Sequence, residues 1–204
     1  MEYPASKTAR PEHPIADILA RRFSPRALAP DVPSDAQLAR LFTAAGWAPS
    51  AGNGQPWRFV VGVRGDEVWP VVLGCLNEKN QSWCQHAPVL GIAIAQTLRG
   101  DEPLPTGPYD LGQAMALLTV QATTEHLYVH QMAGFSADAA HEAFAIPAGF
   151  TPLAAYAIGA LGDPAALPDD LRTRELAPRM REPLSERVFG GRFGESRPFG
   201  PTGL

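Results

Sequence analysis

The apolar residues of this chain fall into a few regular runs. Ile15, Ile18 and Leu19 share one face of a helix expected over Pro14–Arg22, with a proline at its first turn. Ser34 stands three residues before Gln37, the spacing of a capping box. Leu38, Leu41, Phe42 and Ala45 then form a helical stripe that should stop near Trp47–Pro49. Trp57–Val63 reads as a strand. Asp66 is placed to cap a helix carrying Val68, Val71, Val72, Cys75 and Leu76. Leu90–Ala95 is apolar without alternation, the pattern of a strand buried on both faces. The longest expected helix, Asp110–Leu127, is Ala-rich and nearly uncharged, so it belongs at the centre of the molecule or against a second subunit. A helix from Ser136 to about Phe144 and a strand over Leu153–Leu161 complete the regular elements. Strands separated by helices predict an α+β or α/β sandwich of helices on a sheet.

Composition narrows this picture. At 204 residues, 45% hydrophobic and 19% charged, the chain fits one globular domain over 14–204 behind a polar, flexible arm at 1–13. Its 19 glycines and 21 prolines imply long irregular connections, including the loop 98–108 and a tail over 162–204 with little periodicity. A tail of that length makes sense if it wraps a partner subunit. A formal net charge of −4 carries no general nucleic-acid footprint. Cys75 and Cys84 are too few for a disulfide framework, and no apolar run reaches membrane-spanning length, so a reduced, cytoplasmic setting is expected.

The chemistry begins with what is missing. The chain has no H-E-x-x-H, G-x-S-x-G, P-loop or G-x-G-x-x-G motif. His126 and His130 lie four apart, but Leu127–Val129 between them is as strand-like as helical, so no metal site is expected. Lys7 and Lys79 are the only lysines, and the other cations are arginines, whose planar forks suit phosphate. Arg22, Ser24 and Arg26 alternate in a proline-rich, extended segment and therefore point to one side. Arg179 and Arg181 repeat that spacing in the tail, which suggests one bound anion shared by two basic edges. Trp57 and Trp69 are expected in the core, Cys75 as an inert thiol, and His130 as a buried, satisfied histidine.

The densest stretch is Ala48-Pro-Ser-Ala-Gly-Asn-Gly-Gln-Pro-Trp57. Its small residues admit a flat ligand, and Ser50, Asn53 and Gln55 offer donors and acceptors to a heteroaromatic edge. Together with Arg22-x-Ser24-x-Arg26 and Arg179-x-Arg181-x-Pro183, this order of motifs resembles the nitroreductase family of FMN-dependent oxidoreductases over roughly residues 14–190. The resemblance implies a mostly antiparallel central sheet sandwiched by helices, an intertwined homodimer, and FMN in clefts at the interface. It implies that Arg22, Ser24, Arg179 and Arg181 hold the phosphate, that Phe23 contributes backbone contact, and that Arg26 reaches the N1/O2 edge of the flavin. Pro49, Ser50, Ala51, Asn53 and Gln55 would contact the flavin from the other subunit. Asn80 would read its pyrimidine edge, and Met132, Ala133 and Gly134 would face N5 and O4.

The implied reaction is ping-pong: NAD(P)H reduces the flavin, and a quinone, nitroaromatic or similar small acceptor reoxidises it. The flavin carries the chemistry, so no catalytic side chain is required. Alternatives with the same fold are a dehalogenase, a dehydrogenase or a flavin-degrading enzyme. A flavin-binding protein with negligible turnover is a further alternative. The chain departs from many members in having His126-Leu127-Tyr128 for Gly-Leu-Gly and Trp83 where some carry lysine.

Overall fold

The computed structural model describes residues 4–200; the outermost residues of the expected arm and tail, 1–3 and 201–204, lie outside the described residues. Its centre is a four-stranded antiparallel sheet in the order β1 (Trp57–Val63), β2 (Val89–Gln96), β6 (Phe150–Gly159), β5 (Tyr128–Met132). Side chains alternate across it. Leu90, Ile92, Ile94, Ala155 and Ala157 face one layer, and Val89, Ala93, Ala95, Tyr156 and Ile158 face the other. Both faces are dry, which is why β2 reads as an unbroken apolar run.

On one face lie α2 (Asp35–Gly46) and the long α5 (Gly107–Thr124). The other carries α3 (Val68–Cys75), α4 (Glu78–Cys84), α6 (Ala137–Ala143) and α7 (Asp169–Leu176). The capping box at α2 forms in both directions: Ser34 Oγ accepts from Gln37 N at 3.3 Å, and Gln37 Oε1 accepts from Ser34 N at 3.1 Å. At α3, Asp66 Oδ2 accepts from the Val63 amide at 2.8 Å and Oδ1 from the Trp69 and Val68 amides, and these bonds, the Val63 one foremost, hold its carboxyl below the usual carboxylate range. Tyr156 crosses beneath β2 where Gly91 leaves room for its ring and donates from Oη to Val60 O on β1 at 2.9 Å.

Several elements differ from expectation. The first helix, α1 (Asp17–Arg21), is shorter than Pro14–Arg22. α5 ends at Thr124, since His126 adopts φ 57° and turns the chain into β5; His126 and His130 therefore do not share a helix face. The loop 98–108 contains a small hairpin, β3 (Leu98–Arg99) with β4 (Glu102–Pro103). The tail is not wholly without a core: α7 buries Leu171 against Phe23 and Leu28 in the same cluster. Part of the expected free arm is tied to the body: Lys7, only 7% exposed, donates to Ala177 O at the end of α7, and Ala9 N donates to Ala20 O.

Candidate functional site

The basic segment after α1 is extended, and its alternation is the one expected. Phe23, Pro25 and Ala27 turn inward and are buried, whereas Ser24 is exposed and Arg22 and Arg26 are half-buried. Phe23 anchors the segment by meeting Tyr128 edge-on at 5.1 Å between ring centroids. Arg22 Nη1 reaches Ser24 Oγ at 3.5 Å. The Arg26 guanidinium makes no hydrogen bond or ion pair with any described residue, although it is half-buried. Such a cation fits an anionic or strongly polar ligand.

Beside Arg26 lies the end of β5. His130 Nδ1 stands 3.0 Å from Pro25 O; a carbonyl only accepts, so the ring donates there. Its ring lies 4.7 Å from that of Trp83. Burial pushes the imidazole down to about 4, and the Arg26 charge adds to the depression, so His130 is neutral at physiological pH. Cys84 is buried against Met132 Sδ at 3.5 Å, and burial pushes its thiol far up. Neither thiol is a poised nucleophile.

The turn 132–135 is fixed from α4. Asn80 Nδ2 and the Asn77 amide both donate to Gly134 O at 3.0 Å, and Trp83 Nε1 donates to Asn80 Oδ1 at 3.3 Å. Asn80 thus holds the Met132–Gly134 segment in place within its own subunit. Glycine is required at 134, because a Cβ there would stand 2.5 Å from Asn77 Nδ2.

The loop after α2 forms a second group. Gly52, Asn53 and Gln55 have φ values of 57°, 54° and 46°, an unusual density of left-handed backbone. Ser50 Oγ accepts from Gln55 N at 3.1 Å, Gln55 Nε2 donates to Asn53 Oδ1 at 3.3 Å, and the Ala51 amide donates to buried Asp110 at 3.2 Å. Pro49, Ala51, Asn53 and Gln55 remain exposed. Arg99, on the hairpin, lies over this loop: a Cβ on Gly54 would be 2.6 Å from its Nη2. The bare motif did not reveal Arg99, because the contact joins segments 45 residues apart.

These groups do not meet within one chain. The loop leads into β1, one edge of the sheet, while His130 and the 132–134 turn belong to β5, the other edge. Three strand spacings, about 14 Å, separate the edges.

The tail arginines lie near the basic segment. Arg179 Nη1 donates to Lys7 O at 3.0 Å and Ala20 O at 2.6 Å, two residues before Arg22. Arg181 is exposed, its Nη1 on the Met180 carbonyl at 2.7 Å. Both line a cleft of about 660 Å³ between the arm and the tail, together with Arg10 and His13. Sequence reasoning missed Lys7 and Glu175, which are 168 residues apart and buried in this region. No cluster of His, Cys, Asp and Glu among the described residues is suited to a metal, and no described helix is long and apolar enough to cross a membrane.

Antiparallel sheet, helices on both faces, a donor-rich segment at one edge and a strained small-residue loop at the other define an α+β fold of the nitroreductase type. The sequence model of the Nitroreductase family matches residues 19–82. An uncharacterized 15.4 kDa protein in the ask 5' region of Mycolicibacterium smegmatis is 34% identical over 145 residues, covering 67% of this chain and 97% of that one. A crystal structure described as an oxidoreductase containing FMN is 37% identical, with TM-score 0.88 over 93% of this chain and 98% of that one. The FMN- and NADPH-dependent nitroreductase NfnB from Sphigopyxis sp. strain HMH shares the fold at 19% identity, with TM-score 0.68 over 84% of this chain and 95% of that one. The chain belongs to the nitroreductase family.

Proposed function

We propose that this protein is a homodimeric FMN oxidoreductase that takes reducing equivalents from NAD(P)H and passes them to a quinone, nitroaromatic or similar small acceptor. The observation that carries the reading is the half-buried Arg26 guanidinium without a partner among the described residues. It stands beside a neutral imidazole and a glycine-dependent turn. The donor set is right for FMN: guanidinium and hydroxyl groups for a phosphate, backbone and amide groups for a heteroaromatic edge, and no metal-ligand cluster among the described residues. When bound, FMN supplies the two-electron chemistry at N5. Arg22, Ser24, Arg179 and Arg181 would hold its phosphate, Arg26 would offset negative charge at its N1/O2 edge, and the 132–134 turn, held by Asn80, would supply the groups toward N5 and O4.

The opposite-edge placement of the two residue groups favours a site completed by a second copy. A surface suited to that copy exists: α5 carries one charge, buried Asp110, and shows Tyr109 and Leu117 to solvent. Trp47, 83% exposed at the end of α2, and Ile15 and Leu19 near α1 are further exposed apolar side chains.

The test is spectroscopic and kinetic. The purified protein should show a flavin spectrum, release FMN on denaturation, and oxidise NAD(P)H in the presence of menadione. Failure to bind added FMN overturns the reading. A yellow protein without acceptor-dependent oxidation points instead to a flavin-binding role. Sedimentation should show a dimer that FMN stabilises by mass action; a monomer that binds FMN equally well removes the shared site.

A further inference from the structure

One peptide group in the basic segment is held from both sides. The Pro25–Arg26 peptide presents its carbonyl to His130 Nδ1 at 3.0 Å. Its N–H points the other way, to both carboxylate oxygens of Glu175, at 3.1 and 3.0 Å. The next amide, Ala27 N, also reaches Glu175 Oε1, at 3.4 Å. A peptide unit is planar, so fixing its carbonyl and its N–H fixes the rotation of the whole unit about its chain axis. That rotation sets the direction in which the Arg26 side chain leaves the backbone.

We propose that His130 and Glu175 are positioning residues that clamp the Pro25–Arg26 peptide and thereby aim the Arg26 guanidinium, and that the N-terminal segment completes the clamp through Lys7. This inference rests on the flavin reading above. Glu175 is 6% exposed, and a carboxylate so deeply placed costs free energy unless hydrogen-bonded and balanced by charge. Three N–H···O contacts supply the first requirement, and Lys7 supplies the second through space rather than in an ion-pair contact: burial lowers the Lys7 pKa on balance, and the Glu175 charge opposes that shift. Lys7 is in turn fixed by Ala177 O at 2.6 Å, two residues past Glu175 at the C-terminal end of α7, and its ammonium lies over the Phe23 ring at 5.9 Å. Arg179 closes the arrangement by tying Lys7 O to Ala20 O. A glutamate whose only task was to hold α7 to the body would not need the backbone amides of Arg26 and Ala27, beside a half-buried guanidinium that has no partner among the described residues. His130 also lies against Trp83, which bonds Asn80, so the clamp and the 132–134 turn share one support.

The experiment compares Glu175→Gln, Glu175→Ala and His130→Phe, the last keeping a ring against Trp83. Amide hydrogen exchange at Arg26 and Ala27 is read on the flavin-free protein. Kd values for FMN and riboflavin and the midpoint potential of bound FMN are read on the loaded one. Removing a hydrogen bond to a charged group should weaken both flavins alike by about tenfold in Glu175→Ala. The potential should fall and exchange at Arg26 and Ala27 should accelerate, while Glu175→Gln, which keeps one acceptor, recovers part of each effect. If the alanine variant does not fold, His130→Phe carries the same readouts. Folded variants with unchanged Arg26 and Ala27 exchange, or with accelerated exchange but unchanged potential, overturn the proposal. Wild-type protein that binds neither flavin overturns the flavin reading instead, and the exchange data still decide whether the clamp exists.

Discussion

Replacing Gly134 with alanine tests how tightly the turn after β5 is built. The added methyl would stand 2.5 Å from Asn77 Nδ2 and 2.6 Å from Asn80 Nδ2, well inside the roughly 3.5 Å of optimal contact. Neither amide is free to swing away. Asn80 Nδ2 donates to the carbonyl of Gly134 itself at 3.0 Å, and Asn77 Oδ1 caps α4 by accepting from Asn80 N at 3.0 Å. Admitting the methyl therefore sacrifices a hydrogen bond worth about 1 kcal/mol and adds overpacking strain of about 1–3 kcal/mol. A loss of about 2–4 kcal/mol lowers Tm by roughly 4–16 °C, at 2–4 °C per kcal/mol for a chain of this length. The assay is thermal and urea unfolding of wild type, Gly134→Ala, Asn80→Ala and the double variant, all without flavin. Asn80→Ala removes one of the two obstacles, so in that background the glycine substitution should cost about 1 kcal/mol less. A cost below about 0.5 kcal/mol, the range of ordinary surface substitutions, or an equal cost in both backgrounds would refute the reasoning.

Other outcomes follow from the same geometry. Arg181→Ala should weaken FMN by about one to two orders of magnitude, since a hydrogen bond to a charged group contributes about 1.5–3 kcal/mol. It should leave riboflavin nearly unchanged, and equal losses in paired titrations would sink the phosphate assignment. His130 should make the fold acid-sensitive. Its folded pKa, about 4, lies below the ordinary 6.5, so the unfolded chain binds the extra proton first, and the contribution of His130 is full above about pH 6.5 and lost as pH falls toward 4. At 1.36 kcal/mol per unit the full contribution is about 3 kcal/mol, of which about 2–3 kcal/mol is lost between pH 7.5 and 4.5, and urea unfolding at those two pH values should show a smaller difference in His130→Phe than in wild type. Tyr156→Phe should cost about 1–2 kcal/mol, because the fully buried phenol loses its bond to Val60 O; an unchanged urea midpoint counts against that bond.

How much of this was legible in sequence depended on range and repetition. Three strands of the central sheet were, at 57–63, 90–95 and 153–161, because burial imposes apolar runs there, whereas β5 was not. The α2 cap was, because Ser34 and Gln37 answer each other within one turn. Helix α4 was not: Glu78-Lys-Asn-Gln-Ser is polar, and only Trp83 and Cys84 face inward, too few for a stripe. Helix α7 hid for the same reason, with Leu171 its one buried apolar side chain. The stretch 127–129, Leu-Tyr-Val, is apolar throughout and too short to show either period, and the left-handed turn at His126, about 120° from helical φ, decided between helix and strand.

The candidate site divides along the same line. Residues that would touch a ligand come in local clusters, since an extended Arg-x-Ser-x-Arg segment or a small-residue loop must present several groups to one molecule. Residues that hold those groups come from anywhere the fold brings close. Glu175 lies 149 residues from Arg26, and His130 lies 105 from Pro25, so neither leaves a pattern in the chain. Their types are nonetheless dictated by physics. A peptide N–H directed into the core calls for an acceptor, and two adjacent amides call for a carboxylate. A buried carboxylate calls for a nearby cation, and here the charge of Lys7, one of only two lysines in the chain, acts on it without an ion-pair contact. The same reasoning runs outward from the sheet. With the loop at one edge and the basic segment at the other, a single flat ligand touching both sets requires either a chain that folds back on itself or a second copy turned edge to edge. The described chain does not fold back, and the nearly uncharged α5 face favours the second copy.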